Sequence, residues 1–177
     1  MKSIITLLIM GLGMGSVLLA QAPSWNIQAD QTKVDFVIKN AGLNVDGNFS
    51  EVKAEIRFAP DQLSTSKISA FIQVKSVSTG IGMRDKSLKD TDYFDAEKFP
   101  QMTFVSTSIR KAKSGYIASG KLTIKGVSKN VEIPFQFDNE VFSGKLTLDR
   151  LDYGVGSSSW IMGDEVKISL RVPVRPL

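Results

Sequence analysis

The residues best able to do chemistry gather in one stretch: Arg84, then Asp85, Asp90, Asp92, Asp95 and Glu97. The chain has no cysteine and no histidine. Ser-His-Asp and Cys-His catalysis are therefore closed to it, as are the Cys/His ligand sets of zinc, haem and iron-sulfur centres. Two of those carboxylates could in principle form a glycosidase pair, but such sites set aromatic sugar platforms beside their acids. The only tryptophans, Trp25 and Trp160, lie far from them in sequence. Arg84 could present its fixed donors to an anionic or quinone head group. Equally, Asp85 suits a cap at a helix start while Arg84 ties down carbonyls. Arg150 and Asp152, before Tyr153-Gly154, read as a corner lock. Gly80-Ile81-Gly82 lacks the third glycine of a dinucleotide loop, and no phosphate loop is present. No catalytic residue, metal ligand or cofactor is assigned.

These residues must be positioned by strands. From Trp25 onward the chain alternates apolar and polar residues in twos, as in Val131, Ile133, Phe135 and Phe137 or in Val166, Ile168, Leu170, Val172 and Val174. Similar rows run over 34–38, 43–49, 52–58, 68–74, 116–124 and 146–148. Asn40-Ala41-Gly42, Ser50-Glu51, Lys113-Ser114-Gly115, Lys125-Gly126 and Asp138-Asn139 supply turns between them. About eight strands follow one another without long helices, so the class is all-β and antiparallel. The alternation fails between Val77 and Met102, where residues 83–99 read as a short helical insertion ended by Pro100. A long insertion in a tightly connected β domain is a place for a lid or portal. Ala54, Ala70, Ala118 and Gly120 fall on inward rows and would leave an eight-stranded barrel with internal volume, unless Phe or Met fills it from across.

Residues 1–20 read as a secretory signal peptide: Met1-Lys2, an apolar run from Ile4 to Leu19, then Ala20-Gln21-Ala22. Cleavage after Ala20 is preferred, because a cut after Ala22 would leave Pro23 first. The location expected is periplasmic or secreted. The folded domain spans 25–175, and a chain of this size buries enough surface to need no disulfide. The formal charge is +4, with Lys and Arg spread along outward strand faces. That pattern suggests no nucleic-acid partner and leaves transient contact with an anionic membrane surface open.

An ordered set of short motifs runs through the domain: Asp30 to Phe36 (DQTKVDF), Val45-Asp46-Gly47-Asn48-Phe49, Ser76 to Gly80 (SVSTG), Arg84-Asp85, Tyr93-Phe94-Asp95, Phe99 to Phe104 (FPQMTF), Gly120 to Val127 (GKLTIKGV) and Arg150 to Gly154 (RLDYG). Together they resemble the YceI-like family of small exported bacterial proteins. The resemblance implies an extended, eight-stranded antiparallel, lipocalin-like barrel that holds a polyisoprenoid or isoprenoid quinone and catalyses nothing. Gln31-Thr32 stands where that family often has His-Ser, and Asn40 where a second His is frequent. Apolar burial alone can hold such a chain, at about 0.8 kcal/mol per methylene. The expected cavity lining is Phe36, Ile38, Phe49, Ile56, Phe58, Ile72, Val74, Phe104, Leu122, Ile124, Leu148, Ile168 and Leu170. Arg84, Asp85, Tyr93, Phe94 and Phe99 are the expected portal and lid. A homodimer through exposed apolar edges is also open.

Overall fold

The computed structural model describes residues 21–177. The signal peptide assigned to 1–20 lies outside the described residues.

Eleven hydrogen-bonded segments make eight staves of one closed antiparallel barrel. β1 (Ser24–Ile27) and β2 (Lys33–Asn40) are one stave, broken by the turn at 28–32. β3 (Leu43–Phe49) and β4 (Val52–Arg57) are the second, kinked at Ser50-Glu51. β5 (Lys67–Gln73) continues through a single 3-10 turn, Val74–Ser76, into β6 (Val77–Ser78). The other five staves are β7 (Gln101–Lys111), β8 (Tyr116–Ile124), β9 (Val127–Asp138), β10 (Val141–Asp149) and β11 (Met162–Pro176). Each stave pairs with the next in sequence. β11 closes the ring on the first stave, through β2 over Lys33–Asn40 and through β1 at Trp25–Ile27.

The total of eight agrees with the alternation, but its membership differs. Ser50-Glu51 is a kink within one stave, because β3 pairs β2 while β4 pairs β5 and β1. The stave absent from the alternating rows is β7. Its inward set, Met102, Phe104 and Ser106, jumps to Ile109 because a bulge between Ser106 and Ser108 shifts the register by one residue. Gly120 on β8 serves that bulge: a Cβ there would lie 2.4 Å from the Val105 carbonyl oxygen.

Three hairpins close with two-residue turns that place both residues at positive φ: Ala41-Gly42 (49° and 78°), Lys125-Gly126 (50° and 76°) and Asn139-Glu140 (47° and 59°). This primed geometry matches the twist of the flanking strands. The insertion forms α1 (Gly82–Lys89) followed by turns through Lys98, close to the 83–99 expected.

Two buried clusters occupy the barrel's ends. At one end Phe58, Phe135, Phe142 and Val174 gather with Trp25, Tyr116 and Phe137. At the other, Val34, Phe49, Val74, Val77, Ala96 and Met102 seat the insertion against β2 and β3.

Candidate functional site: an apolar barrel cavity

Between these clusters the barrel holds a cavity of about 630 Å³, within the size range of small-molecule sites. Ala54, Ala70 and Ala118 line it, so three of the four small inward positions do leave room, while the fourth, Gly120, is filled by the Phe104 ring and the β7 bulge.

The floor is an aromatic plug. Phe58 is fully buried, and its ring meets Tyr116, Phe137, Phe142 and Phe135 edge-on at centroid distances of 5.0, 5.2, 5.4 and 5.5 Å. Such edge-to-face packing adds to plain area burial. It also closes this end of the barrel to a ligand.

The cavity wall includes Phe36, Ile38, Phe49, Ile56, Ile72, Phe104, Leu122, Ile124, Leu148, Ile168 and Leu170. Phe58 and Val74 lie elsewhere. Phe58 is the centre of the plug, and Val74 leaves the strand period in the 3-10 turn, where it is buried against the insertion's Ala96 cluster. Phe36 lies over Gly47, its partner across the β2–β3 ladder, with ring atoms 2.3 Å from where a Cβ would be. A side chain at position 47 would displace that ring.

Of the expected portal residues, Arg84, Tyr93 and Phe94 line the cavity, and Asp85 and Phe99 do not. Arg84 and Asp85 both converge on Thr79. The Asp85 carboxylate accepts from the Thr79 amide (2.7 Å) and hydroxyl, while Arg84 Nε donates to Thr79 Oγ1 (2.8 Å) and Nη2 to its carbonyl (3.0 Å). The pair thus pins α1 to the chain leaving β6. Hydrogen bonds from the Thr79 hydroxyl, then its amide and Ser78, hold the Asp85 carboxyl below its ordinary range, with Lys89 adding a smaller pull. Phe99 covers Gly126 at the β8–β9 turn, 2.6 Å from a Cβ placed there, and so anchors the insertion's far end.

Arg150 is a lock, though not with Asp152. Its guanidinium donates to the carbonyls of Gly163 (3.0 Å), Val155 (2.9 Å) and Ser157 (2.9 Å) and to Asp164 Oδ1 (2.7 Å). Asp152 instead pairs with Lys129 at 2.6 Å. Tyr153, in the following 3-10 turn Leu151–Tyr153, also lines the cavity and is 2% exposed. Burial, with the nearby Asp152 charge, pushes its phenol up from the ordinary value. No alternating row announces it, because it stands outside any strand. Of the two positions that depart from the family pattern, Asn40 lines the cavity. Gln31-Thr32 sits in the β1–β2 turn, where Gln31 Nε2 donates to Gln28 Oε1 and Thr32 Oγ1 to the Gln28 carbonyl, each at 3.0 Å.

The end opposite the plug carries exposed apolar side chains: Leu43 on the β2–β3 turn, Ile81 and Met83 at the start of α1, and Trp160 and Ile161 in the loop before β11. Ile81 and Met83 are also cavity residues, so this is the mouth. Among the described residues no helix is long and apolar enough to cross a membrane.

Residues 25–174 match the family model described as the YceI-like domain. A UPF0312 protein of Yersinia enterocolitica is 34% identical over 101 residues, 56% of this chain and 53% of that one. A UPF0312 protein of Photorhabdus laumondii is 31% identical over 130 residues, 70% of this chain and 68% of that one. Among solved structures, Burkholderia cenocepacia BcnA superposes with a TM-score of 0.80 at 31% identity, over 85% of this chain and 99% of BcnA. A polyisoprenoid-binding domain from Saccharophagus degradans gives 0.67 at 15% identity, over 88% and 99% of the two chains, a likeness of fold.

Proposed function

The chain belongs to the YceI-like family, and on that premise we propose that it binds an isoprenoid or similar amphiphilic lipid in its barrel as a carrier, scavenger or store. The observation that carries this reading is the cavity: about 630 Å³ between an aromatic floor and a helical insertion, walled almost wholly by aliphatic and aromatic side chains. Each methylene buried there contributes about 0.8 kcal/mol, so a prenyl chain needs no directed chemistry to be held. The wall carries no carboxylate among the described residues, and Arg150 on it is committed to loop carbonyls and Asp164. That favours holding a ligand over acid–base chemistry. The polyisoprenoid-binding domain that shares the fold supports the ligand class. A filled scaffold for protein contacts would instead have used the same rows to pack the interior solid.

We further propose export, with residues 1–20 as the signal and Gln21 as the first residue of the exported protein. Ala22 is 3% exposed and its amide donates to Thr65 Oγ1 at 3.0 Å, so it is built into the fold. A cut after Ala22 would remove that anchor. Non-denaturing mass spectrometry of protein purified from its own envelope fraction tests both parts. The expected result is a chain beginning at Gln21 with an extractable isoprenoid-type adduct; a bare chain and a lipid-free organic extract would count against the binding reading.

A further inference from the structure

Apart from Val105 on the barrel wall and Leu177 at the chain's end, every large apolar side chain exposed among the described residues stands at the mouth. Trp160 is 95% exposed, Met83 82% and Leu43 72%. Their segments form one rim. The Ala41 amide donates to the Ile161 carbonyl at 2.8 Å, and Asn40 pairs with Met162, so the β2–β3 turn and the loop before β11 are bonded together. β6 pairs β3 at Asn48 and Ser78 and leads through Ile81 into α1, which brings Met83 to the same opening. Surfaces that stay in water seldom group side chains of this size.

The charges beside the rim indicate what covers it. Lys39 stands one ladder pair behind Leu43, opposite Asn44, and Lys86 lies one helical turn from Met83 on the same face of α1. Both are exposed, and neither is in an ion pair among the described residues. The nearest acids are set back or spent. Asp46 is two pairs further along β3, Asp85 is bonded to Thr79 and Asp164 to Arg150, and Asp90, Asp92 and Asp95 follow the far end of α1. An apolar tip with an exposed tryptophan and flanking lysines matches a bilayer that carries anionic head groups: the apolar side chains enter the acyl boundary while the ammonium groups meet phosphates. A second copy meeting mouth to mouth would instead set one cationic rim against another.

We propose that the mouth docks on a phospholipid bilayer containing anionic lipid, with Leu43, Met83 and Trp160 inserted shallowly and Lys39 and Lys86 at the head groups. Ile81 and Met83 belong both to this surface and to the cavity wall. Apolar surface therefore runs unbroken from the rim into the barrel, and an amphiphile passes between membrane and cavity without crossing water. The docking adds a place of exchange to the lipid-binding reading, and only that passage rests on the reading.

The test sediments the full exported chain with vesicles free of prenyl lipid, made either of phosphatidylethanolamine with phosphatidylglycerol or of phosphatidylcholine alone. The unaltered protein is expected to bind the anionic vesicles, and less tightly as salt rises. Trp160→Ser combined with Leu43→Ser should weaken that binding at least about tenfold, since two largely exposed apolar side chains no longer leave water. Lys39→Glu combined with Lys86→Glu should weaken it at least about tenfold on the anionic vesicles alone. None of these four residues lines the cavity, so all three proteins should bind diprenyl benzoquinone equally without vesicles, which also reports that the fold is kept. No sedimentation of the unaltered protein with anionic vesicles, or unchanged sedimentation of either double variant, overturns the proposal. So does a dimer that the serine variant dissolves in sedimentation velocity, because a second copy then covers the rim. Vesicle binding as expected with no quinone binding by any of the three strikes the lipid-binding reading and leaves the docking standing.

Discussion

Arg150 Nη2 donates to Asp164 Oδ1 at 2.7 Å from a side chain only 4% exposed, so a nearly buried cation fastens the loop between β10 and β11 to the start of β11. Gly156 fits this joint closely, since a Cβ there would lie 2.8 Å from Arg150 Nη1 and 3.1 Å from the Tyr93 ring.

A lysine at position 150 keeps the charge but cannot reach four acceptors arranged around a planar fork. Arg150→Lys is expected to lower stability by about 3 kcal/mol, the scale of charged hydrogen bonds lost inside a structure. Urea unfolding reads this as a lower midpoint at unchanged slope. A midpoint equal to that of the unaltered protein would mean that the loop holds itself without the guanidinium.

Asp85 predicts an acid-sensitive attachment of α1. Its carboxyl titrates below the ordinary range because the Thr79 hydroxyl and amide bond its charged form. A depressed folded value means that the stabilisation is present above the unfolded carboxylate value, about 3.9, and is lost as pH falls through the still lower folded value. Protease cleavage within 79–99 should therefore rise below about pH 4 in the unaltered protein. Asp85→Asn should be cleaved readily at neutral pH and show little further change. The same acid profile in both proteins would remove Asp85 from the attachment.

The ladder between β9 and β10 covers only four residue pairs, Val141 with Asp138 to Gly144 with Phe135, although β9 pairs β8 along its length from Val127 to Phe135. Pro134 stands where the pairing stops and brings no N–H to extend it. Outside this stretch lies a groove whose lining includes Leu146, Leu148 and Ile168, which also line the cavity, so the wall there is one side chain thick. Hydrogen exchange should alternate along 128–133, with amides directed to β8 protected and those directed to β10 exchanging quickly. Uniform protection would show the seam closed in solution.

The barrel was legible because its signal is repetitive. Rows such as Val166-Ile168-Leu170 bury one face at every second residue, and such a period survives without any knowledge of partners. What escaped is where the period breaks for a local reason. The Ser106/Ser108 bulge hid β7, and the 3-10 turn carried Val74 off the wall. Phe58 lies at the end of an inward row and was read as lining. Its placement depends on Tyr116, Phe135, Phe137 and Phe142 converging from three other segments, which no local pattern records. Adjacency misled in the same way at Arg150, whose carboxylate partner is fourteen residues on, at Asp164, while the nearer Asp152 pairs with Lys129.

The central claim is that the lipid occupies the barrel's interior, and Ala70 tests it most directly. Ala70 lines the cavity and faces Ala54 and Phe104 across the two neighbouring ladders. A phenylalanine there would enter empty space, so it should not incur the roughly 1–3 kcal/mol typical of overpacking a filled core. Titration of diprenyl benzoquinone into Ala70→Phe is predicted to show at least about tenfold weaker binding, equivalent to about 1.4 kcal/mol, with the melting temperature held or raised. Undiminished affinity in a folded Ala70→Phe protein would place the ligand somewhere other than this cavity and contradict the account.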